Sequence, residues 1–214
     1  MADAEAAALA GADLIAAAAW DAIGQTGRFS FAISGGKTPW PMFARLGEMD
    51  LDWDHIDVFQ VDERVAPDGD PDRNLTHISA NLPDLALERL RPMPVTEEDL
   101  DAAAMRYEAG LPKPLDLVHL GIGPDGHTAS LVPGDPVLEV TDRLVALTGG
   151  EYQGRRRMTL TYPALAQARR VFWLVAGEDT RDALAKLLAG DPSIPAGRVA
   201  AADATVLADQ AAAG

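Results

Sequence analysis

The 214-residue chain has no cysteine. That excludes a disulfide framework and any thiolate metal site, and it fits a reducing compartment. Its four histidines are scattered, with no His-x-x-x-His pair on a helix, so no metal signature is present. Basic residues are also few: 18 Lys and Arg against 33 Asp and Glu, a formal net charge of -15. An acidic surface repels phosphate backbones and anionic lipids, which disfavours nucleic-acid and membrane-surface partners. An anionic ligand would need the few cations gathered in one place. No uninterrupted apolar run is long enough to cross a bilayer. The Ala-rich segment from Met1 to Trp20 lacks a basic n-region and carries Asp3, Glu5 and Asp13, so it does not read as a signal peptide. The Gly-x-Ser-x-Gly elbow of serine hydrolases is missing, and so are the glycine spacings of a P-loop or a dinucleotide fingerprint.

What is present alternates. Residues 3–23 predict a helix, with Leu9, Leu14, Ile15 and Trp20 available for a buried face and Gly24 and Gly27 to stop it. A strand follows at 28–33. Thr38 and Pro39 read as the N-cap and first position of the next helix. Further strands are expected at 56–61, 115–120 and 171–176, with shorter ones at 143–147, 157–161 and 205–207. Helices are expected near 74–82, 96–108 and 180–189. There is no repeat and no low-complexity linker. The expected fold class is α/β, an open, doubly wound, mostly parallel sheet with helices on both faces, in one domain over residues 1–214.

Three apolar strands each run into an unusual polar turn: Ser34-Gly35-Gly36-Lys37, Asp62-Glu63-Arg64, and Gly121 through His127. Open α/β sheets bind ligands at the carboxyl ends of their strands, so all three turns should share one rim. In the first turn, two glycines ahead of a helix can aim N–H groups at an anion, with Ser34 and Thr38 hydroxyls and Lys37 beside them. The plainer reading is an ordinary strand-to-helix connection. In the second, Asp62 is a candidate base or sugar-hydroxyl partner, and Arg64 can fork onto a phosphate. A local salt bridge is the competing account. In the third, His127 is the one histidine in a glycine-rich turn at a strand end, and Asp125 two residues earlier could set its tautomer. His119, among apolar neighbours, reads as a satisfied structural histidine. His55 and His77 read as loop or helix-surface residues. Arg155-Arg156-Arg157 concentrates positive charge before a strand, with Arg155 and Arg157 expected on one face and Arg156 on the other. Lys186 is a further cation, most simply a solvated one.

Together these pieces resemble the 6-phosphogluconolactonase family. The resemblance rests on Ser34-Gly35-Gly36-Lys37-Thr38-Pro39, Asp62-Glu63-Arg64-Val65, Asn74, the run from Gly121 to Gly134, and Arg157-Met158-Thr159-Leu160-Thr161. It implies the fold of the glucosamine-6-phosphate deaminases and hydrolysis of 6-phospho-D-glucono-1,5-lactone to 6-phosphogluconate, in the oxidative pentose phosphate pathway. It implies no cofactor and no metal. The family's phosphate grip falls on Gly35, Gly36, Lys37, Thr38, Arg64 and Arg157, and its catalytic histidine on His127. Deaminases follow that histidine with Asn-Glu-Pro, where this chain has Leu131-Val132-Pro133, and valine transfers no proton. Arg64 likewise replaces the deaminase's tyrosine. A deaminase or isomerase and a non-catalytic sugar-phosphate sensor are the alternative activities. The expected partner is a sugar-phosphate lactone only, for a cytoplasmic monomer or weak homo-oligomer.

Overall fold

Helix α1 (Ala4–Thr26) starts where the Asp3 carboxylate accepts the Ala6 N–H, and it ends where Gly27 turns left-handed at φ 80°. It runs past Gly24, because an interior glycine costs only about 1 kcal/mol relative to alanine and the surrounding alanines are strong helix formers. Its buried face differs from the expected one: Ala7, Ala8, Gly11, Ala12, Ile15, Ala16 and Ala19 go inside, while Leu9 and Trp20 are exposed. The reason is proximity. A Cβ on Gly11 would lie 2.8 Å from the Phe172 ring and 2.9 Å from the Met42 sulfur, so only small side chains fit there. By length and composition α1 also meets the test for a membrane-crossing helix, although Asp13 interrupts it. In the fold, its small-residue stripe is packed in the core.

The computed structural model describes all 214 residues. After α1 come β1 (Phe29–Ile33), α2 (Trp40–Gly47), β2 (Ile56–Gln60), β3 (Asp62–Arg64), α3 (Asn74–Asn81), α4 (Asp84–Glu88), β4 (Leu90–Arg91) and α5 (Leu100–Ala109). Then follow β5 (Leu117–Leu120), β6 (Val145–Leu147), β7 (Arg157–Leu160), α6 (Tyr162–Gln167), β8 (Arg170–Val175), α7 (Arg181–Leu188), β9 (Ala204–Ala208) and α8 (Gln210–Ala213). Thr38 is not a helix cap: α2 begins after Pro39, and no side chain caps it. Likewise α5 begins at Leu100 behind the Asp99 cap, because the Asp99 carboxylate takes the Ala102 N–H.

The main sheet is parallel throughout, in the order β4-β2-β1-β5-β8-β9. Residues alternate across it. On β8, Phe172 and Leu174 join α1 and α2 in one core, while Val171, Trp173 and Val175 join α5 in the other. Each such side chain is worth roughly 1.5–3 kcal/mol when fully buried. The chain winds outward from β1 through β2 to β4, then returns to lay β5 on the opposite edge of β1. A crevice therefore opens between the carboxyl ends of β1 and β5, where ligands of open α/β sheets bind.

A second sheet was not expected. Asp62-Glu63-Arg64 does not stay a turn but forms β3, the edge of a small antiparallel sheet ordered β3-β7-β6. It shares a core with the main sheet through Met158, Leu160, Val145 and Ala146. Its effect is geometric: it hangs β3 and β7 beside the crevice.

Candidate active site

The crevice is a cavity of about 300 Å³. Ser34, Gly35, Gly36 and Thr38 line it from the end of β1, Asp62 and Arg64 from β3, His127 from the turn after β5, and Arg157 from β7. The three polar turns thus meet on one rim. Lys37 is exposed and does not line it, and Lys186 is exposed on α7. Asp125 stands behind His127 rather than in the wall.

The β1 turn is shaped by two glycines for different reasons. Gly36 has φ 103°, a conformation that strains any L side chain. A Cβ on Gly35 would collide with the side chain of Asn74. The N–H groups of Gly35, Gly36, Lys37 and Thr38 make no hydrogen bond within the protein, whereas Ser34 donates its N–H to His119 Nδ1 at 3.3 Å. Four N–H groups ahead of α2 are thus left without a partner, and backbone donors in such a turn can serve an anion.

Arg64 and Arg157 are directly opposed in the β3–β7 register. Like charges set side by side repel, so this pair favours a counter-charge nearby. Arg64 donates to the Asp72 carbonyl at 2.7 Å, and Arg157 to Gln153 Oε1 at 3.1 Å and the Tyr152 carbonyl at 3.3 Å. Neither Nε has a partner. Burial pulls the Arg157 guanidinium below its ordinary value, and Asp62, 4.0 Å away, opposes this. Of the other two arginines, Arg155 pairs with Asp70 and Asp72, and Arg156 donates to the Thr148 carbonyl. Because β7 begins only at Arg157, the alternation expected from residue 155 does not operate.

His127 Nδ1 lies 2.6 Å from Asp125 Oδ1. A carboxylate accepts, so this bond selects the tautomer protonated on Nδ1 and leaves Nε2 with its lone pair. Burial by itself pushes the Asp125 carboxyl up. Hydrogen bonds from the His127 ring and N–H outweigh it and hold the group below the usual carboxylate range. Asp62 makes no bond to His127. Its two oxygens take the Ser130 hydroxyl at 2.6 Å and the Asn74 amide at 3.2 Å, so orienting the histidine falls to Asp125. Gly123 has no room for a Cβ, which would strike the His127 ring. The N–H groups of Gly123 and Gly126 close the turn on itself, through the His127 and Gly123 carbonyls at 3.0 and 2.9 Å. Neither N–H group is therefore free to hold an oxyanion.

The sequence reading missed the parts played by Glu63 and Tyr152, and it took His119 for fully satisfied. Glu63 is fully buried and accepts the N–H groups of Arg64, Asn74 and Leu75, which caps α3 and holds Asn74 against Gly35. Its ion pair with buried Arg73 spans 3.1 Å. His119 is only half satisfied: Nδ1 accepts from Ser34, but Nε2 has no partner. Burial drops it to about 3, so it stays neutral. Tyr152 touches both His127 and Arg157, and its signal in sequence was only its place in the loop before the arginines. His55 pairs with Asp52, and His77 contacts the Pro71 carbonyl, both at the surface.

A family model described as glucosamine-6-phosphate isomerases/6-phosphogluconolactonase matches residues 2–208. A 6-phosphogluconolactonase of Nostoc sp. is 39% identical over 190 residues, covering 83% of this chain and 78% of that protein. One from Mesorhizobium japonicum is 38% identical over 184 residues, covering 81% and 77%. The crystal structure of a 6-phosphogluconolactonase from Shewanella baltica superposes with a TM-score of 0.88 at 26% identity, over 98% of this chain and 95% of that one. A monomeric glucosamine-6-phosphate deaminase shares the fold, with a TM-score of 0.84 at 21% identity over 100% and 97%.

Proposed function

This chain belongs to the glucosamine-6-phosphate isomerase/6-phosphogluconolactonase family, and we infer that it hydrolyses 6-phospho-D-glucono-1,5-lactone to 6-phospho-D-gluconate. One observation carries the reading at residue level: a single cavity has paired arginines and free loop amides on one side and a carboxylate-oriented histidine on the other. The phosphoryl group docks on the Gly35–Thr38 amides, Arg64 and Arg157, by charge-assisted bonds. That sets C1 of the lactone beside His127. Nε2 takes a proton from water as the water oxygen bonds to C1. The imidazolium then gives that proton to the ring oxygen as the C1–O bond breaks, leaving a carboxylic acid that ionises in solvent. Asp125 accepts the Nδ1 proton's hydrogen bond throughout. No step in this scheme draws on a cofactor or metal. We place the enzyme in the cytoplasm, as a monomer or weak homo-oligomer.

Val132 is buried and does not line the cavity, so the position that would carry a deaminase's glutamate offers no acid. Ammonia release from glucosamine 6-phosphate checks that rival directly. The decisive assay couples freshly made lactone to 6-phosphogluconate detection. His127→Ala should lose about 10²–10⁴-fold in kcat with KM little changed. Near-normal turnover in that variant rejects His127 as the base.

A further inference from the structure

Behind the cavity wall, between Arg157 and His127, stands a side chain that the scheme above leaves unused. The Arg157 guanidinium lies over the Tyr152 ring, 4.9 Å from its centroid, and donates to the Tyr152 carbonyl. The same ring meets the His127 imidazole at 5.2 Å between centroids. Its hydroxyl is 3.1 Å from Asp125 Oδ2 and 3.4 Å from His127 Nδ1. Asp125 thus accepts on both oxygens, from His127 on one and from Tyr152 on the other. The segment is built to hold this pose: Tyr152 and Arg155 exchange backbone hydrogen bonds across a tight turn, and Gly154 sits at φ 77°.

We propose that Tyr152 is a positioning residue that ties the phosphate-binding arginine to the catalytic histidine, its ring carrying Arg157 and its hydroxyl fixing Asp125 against His127. This rests on the lactonase reading of His127 and Arg157. The two duties are separable by chemistry. A cation over an aromatic face needs only the ring. The bond to Asp125 needs the hydroxyl, and it shares out the carboxylate charge that would otherwise fall wholly on the imidazole. Burial and Asp125 push the phenol up, with Arg157 opposing, so the hydroxyl keeps its proton and donates. Asp62, Arg64, His119, Arg157 and Asp179 line the same cavity as His127, and Asp125 and Tyr152 stand behind it against the ring.

Tyr152→Phe and Tyr152→Ala separate the duties. Tyr152→Phe should bind 6-phosphogluconate with unchanged Kd by calorimetry, yet lose about tenfold in kcat. Its acid limb of kcat, and the His127 ring-proton titration followed by NMR, should both move to higher pH. Tyr152→Ala should in addition weaken 6-phosphogluconate binding about fivefold. Mere packing would be disturbed by Ala but would leave kcat and both pH curves of the Phe variant untouched. That result, or unaltered product affinity in Tyr152→Ala, overturns the proposal. A wild-type protein that binds 6-phosphogluconate but fails to turn over fresh lactone defeats the functional reading instead, and the titration and Kd still decide the role of Tyr152.

Discussion

Arg64 and Arg157 face each other across a two-strand register, with Asp62 4.0 Å from Arg157. If the pair grips the phosphoryl group as proposed, its members should not contribute alike. Arg157 is nine-tenths buried or more and fastened by Ser130, Tyr152 and Gln153, so removing it leaves several partners adrift. Arg64 is half-buried with a single carbonyl partner through its guanidinium. Arg64→Ala is thus the cleaner probe of phosphate binding. It should raise KM for the lactone about 10–100-fold, the loss of one or two charge-assisted bonds, with a far smaller change in kcat. Steady-state kinetics on fresh lactone measure this, and an unchanged KM removes Arg64 from the phosphate site. Most of the candidate residues were legible at this scale because reactive side chains stood in polar turns at strand ends, two of those turns glycine-rich. Tyr152 was not, because nothing local marks a tyrosine whose hydroxyl partners lie 25 or more residues upstream.

At the level of elements, the turn after β1 packs against the side chain of Asn74, which α3 presents and Glu63 anchors. Gly35 and Gly36 therefore fail differently when given a methyl group. Gly36→Ala meets no atom within 4 Å and bears only the cost of a left-handed backbone, about 1–2 kcal/mol. Gly35→Ala must displace Asn74, and with it the bonds to Asp62. It should lose about 1–3 kcal/mol in urea unfolding and raise KM as well, because the amide cradle shifts. If Gly35→Ala keeps wild-type stability and KM, the contact with Asn74 does not shape the loop. The apolar runs of β1, β2, β5 and β8 announced themselves because parallel strands buried on both faces read as continuous hydrophobic stretches. β3 did not, since three charged residues become a strand only by pairing with β7, almost a hundred positions later. The alanine face of α1 was hidden for a related reason. Large apolar side chains suggest burial, whereas here close approach of Phe172 and Met42 selects small ones.

Across the whole molecule, the order of the strands places the crevice, and one buried group ties its floor together. His119 on β5 accepts the N–H of Ser34 from the end of β1, so the two strands that flank the switch point are joined through a neutral imidazole. A protonated ring has no lone pair to offer, and burial holds it at about 3 against an ordinary 6.5. The unfolded chain therefore takes up a proton near pH 6.5 that the folded one refuses until about pH 3. Proton binding favours the unfolded state over that interval. The contribution of His119 is complete above pH 6.5 and is lost progressively as pH falls, by at most about 1.4 kcal/mol per pH unit. His119→Gln keeps an acceptor for Ser34 and cannot titrate. Urea unfolding at pH 7, 6, 5 and 4 should show stability falling more steeply in the wild type than in His119→Gln, with carboxylate titration common to both. Parallel curves would mean that this imidazole is not shut away from protons, and that the joint between β1 and β5 opens to solvent well before the fold does.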